Sequence, residues 1–229
     1  MFHWKAEVLP GVTVAFTDTR AGNLALHVGD NADDVRVRRA ELERSADMVP
    51  GSLRFMNQVH GTAVAVMEAG SAAPEADAMV SRGVPLAVMV ADCIPAVLVG
   101  QAPDGPVLGA VHAGRPGLAA GVIPAAVERM RAMGAVSLQA WLGPSICGNC
   151  YEVPAGLRED VAATVPAAWS TTSWGTPGLD LPAGARSQLE AADVDIRYCG
   201  PCTLENQDLF SYRRNKDTGR FAGMVWTHD

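Results

Sequence analysis

The sequence has no long apolar run. Its longest hydrophobic stretches are strand-sized and are broken by Asp92 or by glycine and proline, so no membrane-spanning helix and no membrane partner are expected. Basic charge is also scarce. Lys and Arg number 18 against 25 Asp and Glu, a net charge of −7, which argues against a general nucleic-acid binder. A small anionic substrate needs only a local cationic pocket and is not excluded. The stretch MFHWKAEVLPG lacks an apolar core of signal-peptide length. With an odd count of 5 cysteines, this sets the expectation of a cytoplasmic protein with reduced thiols. Internal repeats, low-complexity tracts and linkers are lacking too. What is there is 229 residues, 48% hydrophobic and 19% charged, enough for a sizeable core and read as a single domain over 1–229.

The pattern along the chain is mixed. Residues 12–30 read as a strand, a polar loop and a second short strand, and 31–45 as a helix capped by Asn31 or Asp33. Residues 52–68 read as strand, tight turn at His60-Gly61, strand, and 75–82 as a short connector with one helical turn. Strands are expected over 86–91 and 106–111, joined through QAPDGP, with pairing faltering at Pro95 because proline has no N–H to donate. That leaves Asp92 and Cys93 at a strand break. A helix follows over 116–134 with Gly134 at its end, then a strand running into a loop over 137–153. Helices at 154–166 and 185–194 and strands at 195–200 and 220–226 complete the reading. Strands follow one another without helices between them, so the class is α+β: a mixed sheet with flanking helices, not a repeated βαβ unit.

Three residues beside glycines or strand breaks carry chemistry: His60, Cys93 and His112. Two imidazoles and a thiolate suit Zn²⁺ with one position left for water, and they suit copper as well. The plainer alternative is a packed core thiol with two turn histidines. A third reading makes Cys93 and His112 a nucleophile and base, and it competes with the metal for the same atoms. Arg115, three residues after His112, is a candidate phosphate ligand. Tyr212 and Arg213, in the basic stretch SYRRNKDTGR, are candidates for the rim of the same pocket, and Gln58 for orienting a histidine or a bound base. Cys147 and Cys150 form a CxxC, and Cys199 and Cys202 a second. Their separation is far longer than the roughly 15–20 residues of a zinc ribbon, and the second pair stands too late in the chain for a thioredoxin motif.

NQVHG (57–61), ADCIPAVL (91–98), GAVHAGRPGL (109–118), GPSICGNCYEV (143–153) and LFSYRRNKDTGRFAGMVW (209–226) occur in that order, after TDTRAGNLALHVGD (17–30). In these motifs the chain resembles the YfiH-type laccase-domain family, described both as polyphenol oxidases and as purine nucleoside phosphorylases. The resemblance implies the α+β fold shared with cytotoxic necrotizing factor toxins and one Zn²⁺ on His60, Cys93 and His112. It also implies phosphorolysis of adenosine, inosine and methylthioadenosine, and deamination of adenosine, with purine nucleosides and phosphate as small-molecule partners. The chain departs from the family at HAGRPG, where the usual HAGWRG has its arginine one place later, so Arg115 must reach phosphate from a different angle. In GPSICGNCYEV, Cys150 keeps a family cysteine position and Cys147 takes a glycine position.

On this reading deamination adds an activated water to C6 of adenine, with Asp92 as candidate proton shuttle beside Cys93 and His112. Phosphorolysis brings phosphate to C1′ of the ribose, held by an arginine such as Arg115. The alternatives are a copper-dependent phenol oxidase, a Cys93/His112 cysteine hydrolase and a metal-stabilised binding module. A multicopper oxidase needs many more imidazoles than the 5 histidines present, His3, His27, His60, His112 and His228.

Overall fold

The computed structural model describes residues 1–228. In chain order the elements are β1 (Phe2–Leu9), β2 (Val12–Thr17), α1 (Ala32–Ser45), β3 (Val64–Met67), β4 (Ala78–Ser81), β5 (Leu86–Val90), β6 (Ile94–Gln101), β7 (Val107–Ala113), α2 (Arg115–Ala120) and α3 (Val122–Ala132). Then follow β8 (Ser137–Leu142), α4 (Ala155–Thr164), β9 (Trp169–Thr171), β10 (Pro177–Leu179), α5 (Leu181–Ala191), β11 (Asp195–Cys199) and β12 (Phe221–Thr227). The class is mixed α+β, as expected, but the strands divide between two main sheets. One is four-stranded and antiparallel, ordered β1-β2-β12-β5; the other is six-stranded and mixed, ordered β11-β8-β6-β7-β4-β3.

Strand alternation explains the layering. On β6, Val97 and Val99 face Val14, Phe16, Val88, Val90 and Phe221 of the four-stranded sheet, while Ala96 and Leu98 face Leu118, Ile123 and Met130 of α2 and α3. On β2, Ala15 turns the other way and packs with Leu42 of α1. The order is helices, six-stranded sheet, four-stranded sheet, helix. The central strands are therefore buried on both faces, which is why β5, β6 and β7 read as apolar runs.

Several local expectations are corrected. The segment after β2 is a single turn of 3₁₀ helix over Thr19–Ala21 and then irregular chain, not a second strand. Residues 52–63 form isolated bridges at Arg54 and Asn57 in place of a strand, and the expected connector at 75–82 contains β4, a strand inside the six-stranded sheet. The stretch from 86 to 113 holds three strands rather than two. Pro95 does not interrupt pairing: it stands opposite His112, and its carbonyl accepts the Gly143 N–H at 3.0 Å just beyond the last β6–β8 pair, Ala96 with Leu142. The missing donor thus falls where that ladder ends. The helix expected over 116–134 is broken at Gly121, whose φ of 90° ends α2 and starts α3. The α1 reading agrees with the structure, with the Asn31 side chain accepting the N–H groups of Asp33 and Asp34.

Candidate active site

The site is assembled at one end of the two sheets. His60 lies on the exposed loop before β3 with φ of 62°, a left-handed conformation that a residue with a Cβ adopts only when held there. Asp77, fully buried just before β4, holds it. Its carboxylate accepts the backbone N–H groups of Val59 (3.2 Å), His60 (2.9 Å) and Gly61 (2.6 Å). The Gln58 amide adds a second tie, donating to the Met89 carbonyl at 2.7 Å and accepting the Met89 N–H at 2.9 Å.

Cys93 lies in the turn between β5 and β6, after Asp92, whose φ of 86° gives the turn its sharpness. Asp92 is held as firmly as His60. Its carboxylate accepts the Thr203 hydroxyl at 2.6 Å and the Arg213 N–H at 2.7 Å, and its backbone carbonyl accepts the Ile146 N–H at 2.9 Å. His112, buried near the end of β7, donates from Nδ1 to Asp77 Oδ1 at 2.7 Å, which leaves Nε2 free for the site.

These elements bring His60, Cys93 and His112 together, with donor atoms all within 4.8 Å of one another. Cys93 Sγ lies 3.9 Å from His60 Nε2, close to the about 3.6 Å edge of a tetrahedron built with zinc–sulfur and zinc–nitrogen bonds. The two imidazoles meet edge to face, centroids 4.7 Å apart. Gly114 makes room: a Cβ there would stand 2.6 Å from His60 Cδ2 and 3.2 Å from Cys93 Sγ. The electrostatics suit a cation. Burial pushes the Cys93 thiol up, but His112 and His60 outweigh it and hold the thiol down at about 6. Burial lowers the His112 imidazole, and the Cys93 thiolate and Asp77 carboxylate bring it up to about 9. Burial likewise raises Asp77, and His112 together with the backbone donors brings it below its ordinary value. A thiolate and two imidazoles, one backed by a carboxylate, form a donor set that fits zinc and also fits copper.

The donors open into a cavity of about 420 Å³ lined by His27, Gln58, Met89, Tyr212 and Arg220. A smaller cavity of about 180 Å³ adjoins through Ala91, Cys93 and Tyr212, and Asp92, Arg115 and Arg213 line it. All eight residues singled out from the sequence therefore surround the two cavities. Arg213 also donates to the Glu152 carbonyl at 2.8 Å and lies 4.6 Å over the Tyr151 ring. Sequence reasoning missed Asp77, Arg220 and His27. The signal for Asp77 is an acid leading directly into the apolar run AMV.

Fold and site define a class, an α+β protein that gathers a two-histidine, one-cysteine metal-type centre at a sharp strand-to-strand turn. The chain belongs to the family described as multi-copper polyphenol oxidoreductase laccase, which it matches over residues 11–228. It is 46% identical to the purine nucleoside phosphorylase ORF3 of Streptomyces griseus, with 98% of each chain covered. It is 36% identical to the purine nucleoside phosphorylase YfiH of Escherichia coli K12, over 89% of this chain and 85% of that one. Among solved structures, a Neisseria meningitidis protein of family DUF152 superposes with a TM-score of 0.84 at 32% identity, covering 100% of this chain and 99% of the other. YlmD from Geobacillus stearothermophilus gives a TM-score of 0.84 at 28% identity over 96% and 93%. The family expected from the motifs is the one found.

Proposed function

We propose that the chain is a zinc-dependent purine nucleoside phosphorylase acting on adenosine, inosine and methylthioadenosine, with adenosine deaminase activity at the same centre. The observation that carries this reading is the convergence of the His60, Cys93 and His112 donors on a cavity whose other wall is Tyr212 and Arg220. The names of the two relatives support the reaction class. His60, Cys93 and His112 would hold the zinc, which would supply a Lewis acid and lower the pKa of a water there. Asp77 keeps His112 oriented with Nε2 toward that position. The Tyr212 ring, 44% exposed between the two cavities, offers a flat face to a purine. Arg115 and Arg213 in the smaller cavity are set to hold phosphate. In phosphorolysis a phosphate oxygen bonds to C1′ as the N-glycosidic bond breaks; the electron pair leaves with the purine, which takes up a proton. In deamination water adds at C6 and ammonia leaves.

No helix among the described residues is long and apolar enough to cross a membrane. A cytoplasmic location is part of the proposal, in keeping with free thiols at Cys93, Cys147, Cys150, Cys199 and Cys202. Copper-dependent phenol oxidation is the second reading, favoured by the family description and by a donor set that copper also accepts. The 5 histidines of the chain are too few for a multicopper array, which ranks it second.

The test incubates zinc-loaded protein with adenosine, with and without phosphate, and separates inosine, hypoxanthine and adenine. Adenine or hypoxanthine should form only with phosphate, and His112→Ala and Cys93→Ala should abolish both. Inosine alone would leave deamination as the activity and remove the phosphate role of Arg115. No turnover by zinc-replete protein would overturn the proposal.

A further inference from the structure

A second group of metal-type side chains lies outside this centre. The donor atoms of Cys147, Cys150, Cys202 and Glu205 are all within 4.8 Å of one another. They come from two backbone segments locked in register. In the first, the Cys150 and Tyr151 N–H groups both donate to the Cys147 carbonyl at 3.0 Å, closing the CxxC into a tight turn. The second is tied to the first by Ser145 N–H to the Pro201 carbonyl (3.2 Å) and Thr203 N–H to the Ser145 carbonyl (3.1 Å). Arg214 wraps the second segment, donating to the carbonyls of Thr203 (2.9 Å), Leu204 (3.2 Å) and Asn206 (3.2 Å). The three sulfurs are therefore placed by short side chains on a fixed backbone, and the exposed Glu205 side chain closes the group.

Within the group, the Cys147 N–H points at Cys202 Sγ (3.4 Å) and Cys150 Sγ donates to Glu205 Oε1 (3.3 Å). Cys150 and Cys202 are buried, Cys147 is half-buried and Glu205 is exposed at the rim. Cys150 also lines an open groove, a path for an ion to enter. Burial first, and then Cys202, push Cys147 up against the opposing pull of Cys150; burial and Glu205 push Cys150 up, so both are neutral thiols in the metal-free protein. Cys199, the other member of the second CxxC, lies exposed at the end of β11 and outside the group. Glu205 stands in its place, so the sequence-level pairing of two CxxC motifs becomes CxxC with CxxE. A packed thiol cluster is the plainer alternative, but packing alone does not account for a carboxylate aimed at one of three converging sulfurs.

We propose that Cys147, Cys150, Cys202 and Glu205 form a second, structural metal site that takes a thiophilic divalent cation, zinc by donor type. Three thiolates and a carboxylate complete a closed tetrahedral set with no position left for substrate. The ion takes the sulfurs as thiolates, so binding releases protons, and it carries no redox change. Its role is to buttress the catalytic turn from behind. Ile146 and Thr203, each next in sequence to a ligand, are two of the groups that hold Asp92.

The test uses full-length Cys93→Ala/His112→Ala protein under reducing conditions, which removes the first centre and its thiolate. Titrated with Co²⁺, it should bind one equivalent and develop intense thiolate-to-cobalt absorption in the near ultraviolet. Cys199→Ser on the same background should leave the titration unchanged. Cys150→Ser and Glu205→Gln should weaken binding by about tenfold or more, since losing a ligand costs at least what losing a ligand's support does, and Glu205→Cys should restore it. A double variant that keeps its circular dichroism but shows no cobalt–thiolate band overturns the proposal, as does a band that depends on Cys199 and not on Glu205.

Discussion

The Asp77 carboxylate lies 2.7 Å from His112 Nδ1 and simultaneously collects the N–H groups of Val59, His60 and Gly61. One buried acid thus orders two of the three donors, one through its ring and one through its backbone. Asp77→Asn keeps the volume but loses the charge and puts an amide NH₂ where an acceptor is needed. Zinc affinity should fall by about 10–100-fold, as for other partners behind metal-ligating histidines. Competition with a chromophoric chelator measures it, and an unchanged zinc Kd would reduce Asp77 to a packing residue.

Gly114 allows a test of geometry without a change of chemistry. Its φ of −74° suits alanine, so only the new methyl matters, and that methyl would stand 2.6 Å from His60 Cδ2. His60 is exposed and its ring is free to swing away, which relieves the clash at the expense of the donor set. Gly114→Ala should weaken zinc binding by about tenfold or more while lowering Tm by only a few degrees, as roughly 1 kcal/mol would. Calorimetry with and without chelator separates the two, and a variant that binds zinc normally would show the close approach to be incidental.

Acid stability should depend on Asp18. Its buried carboxylate accepts the Arg20 N–H and Nε–H, each at 2.9 Å. Burial raises this carboxyl, but the Arg20 bonds prevail and hold it below its ordinary value. A carboxyl depressed in the folded state contributes stability above its unfolded value of about 4, and that contribution is lost as the pH falls through the folded value. Asp18→Asn should lower stability at neutral pH and flatten the loss below about pH 4. Urea midpoints against pH read this directly; parallel curves for the two proteins would count against it.

The sequence carried the site better than it carried the sheets. His60, Cys93 and His112 were legible because each interrupts an apolar pattern with a donor beside a glycine or a break. β4 was not, because Ala78–Ser81 is too short to show a period and its neighbours Asp77 and Arg82 look like loop residues. The split into two sheets was equally hidden. Strands buried on both faces lose their alternation, and pairing such as β12 between β2 and β5 joins the two ends of the chain. Asp77 escaped for the same reason as β4, since its role exists only once β4 lies beside β7. Glu205 escaped because nothing local distinguishes an exposed acid from a ligand until Cys147 and Cys150 are brought to it.

Asp92 separates two roles that sequence alone leaves open. Each Asp92 oxygen accepts one bond, Thr203 Oγ1–H at 2.6 Å and Arg213 N–H at 2.7 Å, so a proton shuttle would use the second lone pair of an oxygen already tied to the scaffold. Its φ of 86° also requires restraint, and these two bonds with the Ile146 tie provide it. We therefore expect Asp92 to position Cys93 and the segment carrying Tyr212 and Arg213. Asp92→Ala, which leaves a buried hydroxyl and an N–H unpaired, should lose about 1–3 kcal/mol for each group so stranded. Asp92→Asn, which keeps one acceptor, should lose less stability and lower kcat/KM while leaving the shape of its pH profile as in the parent enzyme. Disappearance of one limb of that profile in Asp92→Asn, with stability intact, would return the proton-transfer role to this residue.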